Sequence, residues 1–577
     1  MAARKGIKYL WAPLRGLLRK LPERDTLLVL SVVVGVLCGL AAVVLKGAIH
    51  AIHYGWTSLL PGADWPYLVL PGVGMLMSYL IVRYVVRDNI GHGVTKVLVA
   101  ISKNESKIPR HNTWSSVLTS ALTIGFGGSV GAEAPIVYTG AAIGSTLARY
   151  CGLSYRNMTI LLGCGAAGAV AGIFNAPLAG VLFTLEILLF NLSMSSILPL
   201  LLSTVSATMV SYLCLGRTTQ FVSDLAEFSM RNIPFYLVLG VFCGLVAVYF
   251  IRMTLSMEDR LGRMRNPLLR WALCAVALGV LIYLFPPLYG EGYDDVGRLL
   301  NGQGGGPVWF FVLILLLKVF AMTFTNAGGG VGGTFGPTLF VGAIAGYVVA
   351  SSLNLVRADL VPVSHFVLVG MAGLMAGVMQ APMTAIFLIA EISGGYELLV
   401  PLILTSAIAY GTTRLFEKYS IYTKRIAQTG ELLTHDSDQA VLTLLKTSDL
   451  VETDFTPVRI DATLGNLAEA VSVSSRNIFP VVDGRGRFQG FVSLSDIRRD
   501  MFRTDLYAKN HVYNYIQSSP EYVYEDEPME SVMRKFERSG AWNLPVVKGE
   551  DRLYVGFVSK SKIFNAYREE LKDFSQD

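Results

Sequence analysis

Four charged residues sit in apolar surroundings and are the first candidates for chemistry: Glu133, Glu186 and Glu391, with Lys318 as an isolated base in FFVLILLLKVFAMTF (310–324). A charge at the centre of a membrane-spanning helix costs about 2.5–3.5 kcal/mol even on a lenient insertion scale, so each of them should have a task. Glu133 is the sharpest. It stands in GFGGSVGAEAP (125–135), whose glycines and proline break a helix and expose backbone. A helix starting after the break, at about Pro135, turns its free N–H groups and positive dipole end back towards Glu133 and makes a place for an anion. A carboxylate there is a tethered competitor: ionised, it fills the place, and protonated, it leaves the place open. The plain alternative is an acid that only caps the next helix.

GGGVGGTFGP (328–337) offers the same break and helix start, with Phe335 where the first has its carboxylate. Backbone dipoles at two such starts suit a small anion, because they replace lost hydration without a full charge that would hold the ion too tightly to release. DNIGHGVTKVL (88–98) is a third glycine-rich start. Its His92 either donates to an anion or satisfies backbone groups at a surface. Tyr422, in SIYTKRI, reads from its position alone as an interfacial aromatic.

The elements that must position these groups belong in lipid. The chain has 577 residues, 53% of them hydrophobic and 16% charged, with a mean hydropathy of +0.50. Apolar runs recur from TLLVLSVVVGVLCGLAAVVL (26–45) to LVPLILTSAIAYGTT (399–413), each of the order needed to cross a bilayer as a helix. Arg4, Lys5, Lys8, Arg15, Arg19, Lys20 and Arg24 precede the first run and predict a cytoplasmic N-terminus, so the net charge of +6 is mostly topological. No basic patch is interleaved with aromatics, which argues against a nucleic-acid partner. The six cysteines lie in or beside apolar segments without metal-ligand or redox spacing. No HExxH, nucleophile elbow or Walker loop is present, so an enzyme has no visible chemistry.

Hydrophobicity stops near Leu415, and the chain divides into an N-terminal cytoplasmic segment (1–25), a membrane part (26–415), a linker (416–444) and a soluble tail of two modules (445–510 and 511–577). The membrane part repeats itself. GGSVGAEAPIV (127–137) resembles GGVGGTFGPTL (329–339), with Glu133 falling on Phe335, and FNAPLAGVLFTLE (174–186) resembles MQAPMTAIFLIAE (379–391), with Pro177 on Pro382 and Glu186 on Glu391. Duplicated halves, often of opposite topology, place a binding site where they meet near the midplane. Shared small residues for close helix packing explain the glycines but not the matched Pro and Glu. In the tail, RNIFPVVDGRGRFQGFVSLSDI (476–497) is echoed by AWNLPVVKGEDRLYVGFVSKSKI (541–563), which predicts one small α/β module used twice.

GHGV (91–94), GGSVGAEAP (127–135), FNAPLAGVLFTLE (174–186), GGTFGP (332–337) and SIYTKR (420–425), in that order, resemble the CLC family of chloride channels and proton-coupled chloride transporters over about residues 20–430. The tail resembles a pair of CBS modules. The resemblance implies a polytopic α-helical membrane protein of inverted-repeat CLC fold with a cytoplasmic CBS pair, working as a homodimer whose subunits each hold a pore. It implies that Glu133 is the gating glutamate that occupies the anion path and takes up protons. Around that path it sets Gly91, His92 and Gly93, then Gly131, Ala132 and Ala134, the backbone amides of Thr334 and Phe335, and the hydroxyl of Tyr422. A compact chain with short loops predicts a bacterial plasma membrane.

Two departures qualify this. Many members carry a serine in a GSGIP-like segment where this chain has His92; histidine donates from either ring nitrogen and becomes cationic near neutrality, so it either keeps a pH-dependent anion affinity or turns aside and leaves the backbone to bind. The best-known proton-coupled members have two adjacent glutamates where this chain has Glu186 and Ile187, so the internal proton-acceptor position is non-acidic, which favours a passive channel as the alternative to chloride/proton exchange, and Glu186 is expected to be a buried structural acid. The gating segment reads GAEAP and lacks the GREGT-like form of the fluoride-exporting branch. CBS pairs often bind adenine nucleotides; Asp496 in GFVSLSDI matches the ribose-holding Asp, whereas its counterpart is Lys562. A tail that only stabilises the dimer is the other reading.

Overall fold

Apolar runs bounded by proline and glycine fold as helices throughout the first part of the chain. They are α1 (Glu23–Leu59), α2 (Pro66–Leu80), α3 (Gly93–Lys103), α4 (Ser115–Gly125), α5 (Glu133–Cys151), α6 (Tyr155–Phe174), α7 (Pro177–Ile187), α8 (Met194–Leu215), α9 (Ile233–Gly262), α10 (Pro267–Leu284), α11 (Tyr293–Leu300), α12 (Val308–Ala327), α13 (Phe335–Val356), α14 (Val363–Met379), α15 (Pro382–Ile392), α16 (Leu399–Phe416) and α17 (Ile421–Gln428). The computed structural model describes residues 22–188, 194–216, 228–428, 445–549 and 551–575, in two units, Met1–Leu433 and Thr434–Asp577. Of the basic residues expected to hold the N-terminus, all but Arg24 lie outside the described residues, as do residues 429–444 of the expected linker. Within that linker, 421–428 form helix α17, which packs on α3 in the membrane unit.

Among the described residues, nine helices are long and apolar enough to cross a membrane. Helices α7 and α15 have 11 residues each, about 16 Å, half a hydrocarbon core, so their ends fall inside the protein and must be satisfied there.

The halves are related by a shift of about 205 residues, and the relation holds in individual bonds. Cys38 Sγ donates to Gly165 O at 3.3 Å, and Cys243 Sγ donates to Gly370 O at 3.7 Å. Asn175 and Gln380 both close their helices in the left-handed region, at φ 56° and 53°. Helix α5 packs on α6 as α13 packs on α14, close enough that Gly140 and Gly165 face each other in one half and Gly342 and Gly370 in the other.

The tail holds two three-stranded sheets of one topology. In the first, β1 (Val458–Arg459) runs parallel to β2 (Ile478–Val482), which pairs antiparallel with β3 (Phe488–Ser493). In the second, β4 (Val523–Tyr524), β5 (Asn543–Lys548) and β6 (Leu553–Ser559) repeat the order, and the register shifts at Val481/Val482 in one and Val546/Val547 in the other. Helices α18 (Leu464–Val473), α19 (Leu494–Ile497), α20 (Met529–Ser539) and α21 (Lys560–Ser575) complete the modules. Each lead-in segment is paired to the other module: Glu452 with Phe557, and Gln517 with Phe491, by reciprocal backbone hydrogen bonds of 2.7–3.0 Å.

Candidate functional site

The two glycine breaks meet. Gly131 N–H donates to Gly333 O at 3.0 Å and Gly333 N–H donates to Gly131 O at 2.7 Å, a reciprocal pair of the kind a two-fold relation produces. A side chain is excluded on both: a Cβ on Gly131 would lie 2.0 Å from Glu133 Oε2, and one on Gly333 would lie 2.8 Å from the Ala134 Cβ. The starts of α5 and α13 are thereby brought to one place. The third start arrives there too, since Gly93 packs so tightly on α5 that a Cβ would come within 2.5 Å of Ala134 O.

Helix α5 begins at Glu133 rather than at Pro135, so the carboxylate rises from the first turn. Glu133 is buried. Its Oε1 accepts from the Tyr293 hydroxyl at 2.6 Å and its Oε2 from Gly336 N–H at 3.2 Å. The acid of one half thus occupies a free amide at the helix start of the other half, where the dipole favours negative charge. The Phe335 ring packs against Phe174 and Phe183, with centroids at 5.4 and 6.2 Å. Thr334 Oγ1 and the Tyr422 hydroxyl are buried neighbours, and neither makes a hydrogen bond of normal geometry among the described residues. Two buried hydroxyls side by side can donate to each other or turn to a polar ligand.

His92 caps α3 in the left-handed region, at φ 55°. Its Nε2 lies 3.8 Å from Glu258 Oε2. That carboxylate is held by Arg425 of α17, Nε to Oε2 at 3.1 Å and Nη2 to Oε1 at 2.7 Å. Of the two alternatives for His92, the ring is turned towards a carboxylate, and Gly91 N–H is taken by Asn89 Oδ1 at 3.0 Å.

Sequence reasoning missed three residues around Glu133. Tyr293 supplies its hydroxyl, Glu291 Oε1 accepts Ala132 N–H at 2.8 Å, and Lys46 of α1 lines, with both carboxylates, a cavity of about 680 Å³. Glu291 and Tyr293 stand in YGEGYDD (289–295), between helices, where an acid reads by default as a solvated loop residue. The flanking glycines were the available signal. Lys318, read as an isolated base, holds this loop from below: its Nζ donates to Gly290 O at 2.8 Å and Leu288 O at 3.3 Å.

Glu186 and Glu391 do not join this cluster. Glu186, at the end of α7, accepts from Met383 N–H at 3.0 Å and from Thr384 N–H and Oγ1, both at 2.7 Å, at the start of α15. Glu391, at the end of α15, accepts from Leu178 N–H at 3.0 Å and Ala179 N–H at 2.9 Å at the start of α7. Two short helices inside the membrane unit cap each other. Ile187 is buried at the last position of α7.

A family model described as voltage gated chloride channel matches residues 73–414, and the CBS domain model matches 448–503 and 512–569. The chain belongs to the CLC chloride channel family. A putative chloride channel protein, ClcB-like, of Ralstonia nicotianae is 30% identical over 380 residues, which cover 63% of this chain and 86% of the relative. A crystal structure titled as a slow cyanobacterial Cl⁻/H⁺ antiporter superposes with a TM-score of 0.64 at 23% identity, covering 71% of this chain and 98% of its own. One titled as a CLC-type fluoride/proton antiporter gives 0.60 at 25% identity, covering 69% and 97%. The membrane unit therefore has the CLC inverted-repeat fold, and the tail is a CBS pair.

In the first CBS module, Asp496 Oδ2 accepts Ser493 N–H and Oδ1 accepts Gln517 Nε2, both at 2.9 Å. A carboxylate has room for about four such bonds, so acceptor capacity for about two further donors remains. Lys562, in the second module, donates from Nζ to Val451 O at 3.3 Å.

Proposed function

We propose that this CLC protein exchanges chloride, or a similar small monovalent anion, for protons, with Glu133 as the gate and proton carrier. The observation that carries the reading is the Glu133 carboxylate seated on Gly336 N–H. Ionised, it fills the place at the start of α13. Protonated, it loses the charge-assisted part of that bond and yields the amide to chloride. The amides of Thr334 and Phe335 and the hydroxyl of Tyr422 then serve the central anion, and Gly131, Ala132 and Ala134 serve from the first half. Gly91, His92 and Gly93 line the other approach, where Glu258 beside His92 tempers any anion affinity of the ring.

A passive chloride channel is the second reading, and Ile187 favours it, because an isoleucine cannot pass a proton from the internal side. The further proposals are a homodimer, in a plasma membrane of bacterial inner-membrane type, with the N-terminal segment and the CBS tail in the cytoplasm, and the domain division at 415 and 510. Asp496 is proposed to hold the ribose of an adenine nucleotide.

Reversal potential measured in liposomes, with a fixed chloride gradient and an imposed pH gradient, separates the readings. An exchanger shifts with the pH gradient; a reversal fixed at the chloride equilibrium value belongs to a channel. Glu133→Gln and Glu133→Ala are expected to lose proton coupling and keep anion flux, and intact coupling in either removes Glu133 from the gate.

A further inference from the structure

A gate that must take up a proton needs a group that hands it over, and the cavity beside Glu133 contains a second carboxylate. Glu291 sits at the tip of the loop between α10 and α11. The loop is fixed: Ser129 Oγ donates to Leu288 O at 2.6 Å and Lys318 Nζ to Gly290 O at 2.8 Å. Glu291 is therefore held in position and is not a freely solvated surface acid. It grips Ala132 N–H, the amide next to Glu133 in the chain, and both carboxylates line the same cavity of about 680 Å³.

Hydrogen-bond donors are shared unequally between the two. Glu133 accepts the Tyr293 hydroxyl and Gly336 N–H, which favour its ionised form, whereas Glu291 accepts only Ala132 N–H among the described residues. Adjacent carboxylates resist ionising together, and the one with fewer donors keeps the proton. The surrounding charges leave the same deficit. Glu133, Glu291, Asp294 and Asp295 face three cations: Lys46 and Arg298 in the cavity, and Lys318 beneath it. Arg298 is engaged by Asp295 at 3.5 Å. The cavity histidines, His50 and His53, stand on α1, and His53 Nδ1 is within 3.0 Å of the Tyr289 hydroxyl. One proton shared among the four carboxylates balances the three cations.

The geometry points to Glu291 as the proton donor and acceptor of the gate, exchanging with cavity water on one side and with Glu133 on the other. The role rests on the exchange reading above. In the step, the O–H bond of the Glu291 acid breaks, its proton bonds to a Glu133 carboxylate oxygen, and Glu291 is left as a carboxylate beside Lys46. A hydronium ion arriving from solution through the cavity water reprotonates it and is left as water. Neutral Glu133 then releases Gly336 N–H.

The test is Glu291→Gln, which keeps a carbonyl to accept Ala132 N–H and removes the exchangeable proton together with the charge of the ionised form. Chloride flux in proteoliposomes, with pH varied separately on each face, is expected to slow about a hundredfold, and to lose part of its pH dependence on the cavity side. The same substitution added to Glu133→Gln is expected to bring no further slowing, because no proton is passed. Unchanged flux and pH profile in the single variant would overturn the proposal, and so would equal slowing in both backgrounds, which marks a structural role. Wild-type reversal potential keeps the two ideas apart. If it ignores the pH gradient, the exchange reading fails, and pH-dependent gating of chloride flux by Glu291 is still read by the same pair of variants.

Discussion

Glu186 and Glu391 differ from Glu133 in what surrounds their oxygens. Among the described residues, the hydrogen bonds that Glu186 accepts come from donors at the start of α15 and those that Glu391 accepts from donors at the start of α7, so these acids serve as caps. Glu186→Ala is expected to orphan the α15 amides at a cost of about 1–3 kcal/mol, read as a fall in melting temperature of the detergent-solubilised protein. Proton coupling should survive in the folded fraction, and its loss without destabilisation would make Glu186 a proton carrier. Glu133 was legible in the sequence because a charge among glycines and apolar residues has few tasks open to it. Glu291 was not, because its surroundings come from α1, α5 and α12, remote in the chain.

At the scale of the element, the helix starts were written in glycine and proline, and what packs against them was not. Helices α5 and α6 touch backbone to backbone: a Cβ on Gly165 would lie 2.0 Å from Gly140 O, and one on Gly140 would lie 2.1 Å from Gly165 O. Gly165→Ala is expected to force the helices apart at a cost of about 1–3 kcal/mol or more, measured as lost monodispersity and a lower melting temperature. Gly47→Ala is the control, because no described residue outside its own helix turn lies within 4 Å of a Cβ there, and it should be neutral. Helix α17 was hidden within an expected linker because its eight residues, Ile421–Gln428, carry too few apolar positions to announce a helix. It is held by packing and by two ion-pair groups, Arg425 to Glu258 and Lys424 with Arg252 to Glu417.

For the whole molecule, the tail is the part whose function is most open to test. Asp496→Ala in the full-length protein is expected to weaken ATP or AMP binding about tenfold, the worth of one or two hydrogen bonds, by calorimetry; a wild-type protein that binds neither nucleotide removes the premise. The sequence by itself determined the membrane class, the duplication and the tandem tail, because hydropathy, repeat spacing and turn residues are properties of neighbours in the chain. It also singled out Glu133 by its setting, and Thr334, Phe335 and Tyr422 through the resemblance of their motifs to the CLC family. Only the tertiary structure decided which donors hold the Glu133 carboxylate, that Glu186 and Glu391 cap one another's helices, that His92 faces Glu258, and that a second carboxylate shares the cavity of the first. Each of these is a contact between halves or between distant helices, fixed by how helices pack and not by anything a local window of residues contains.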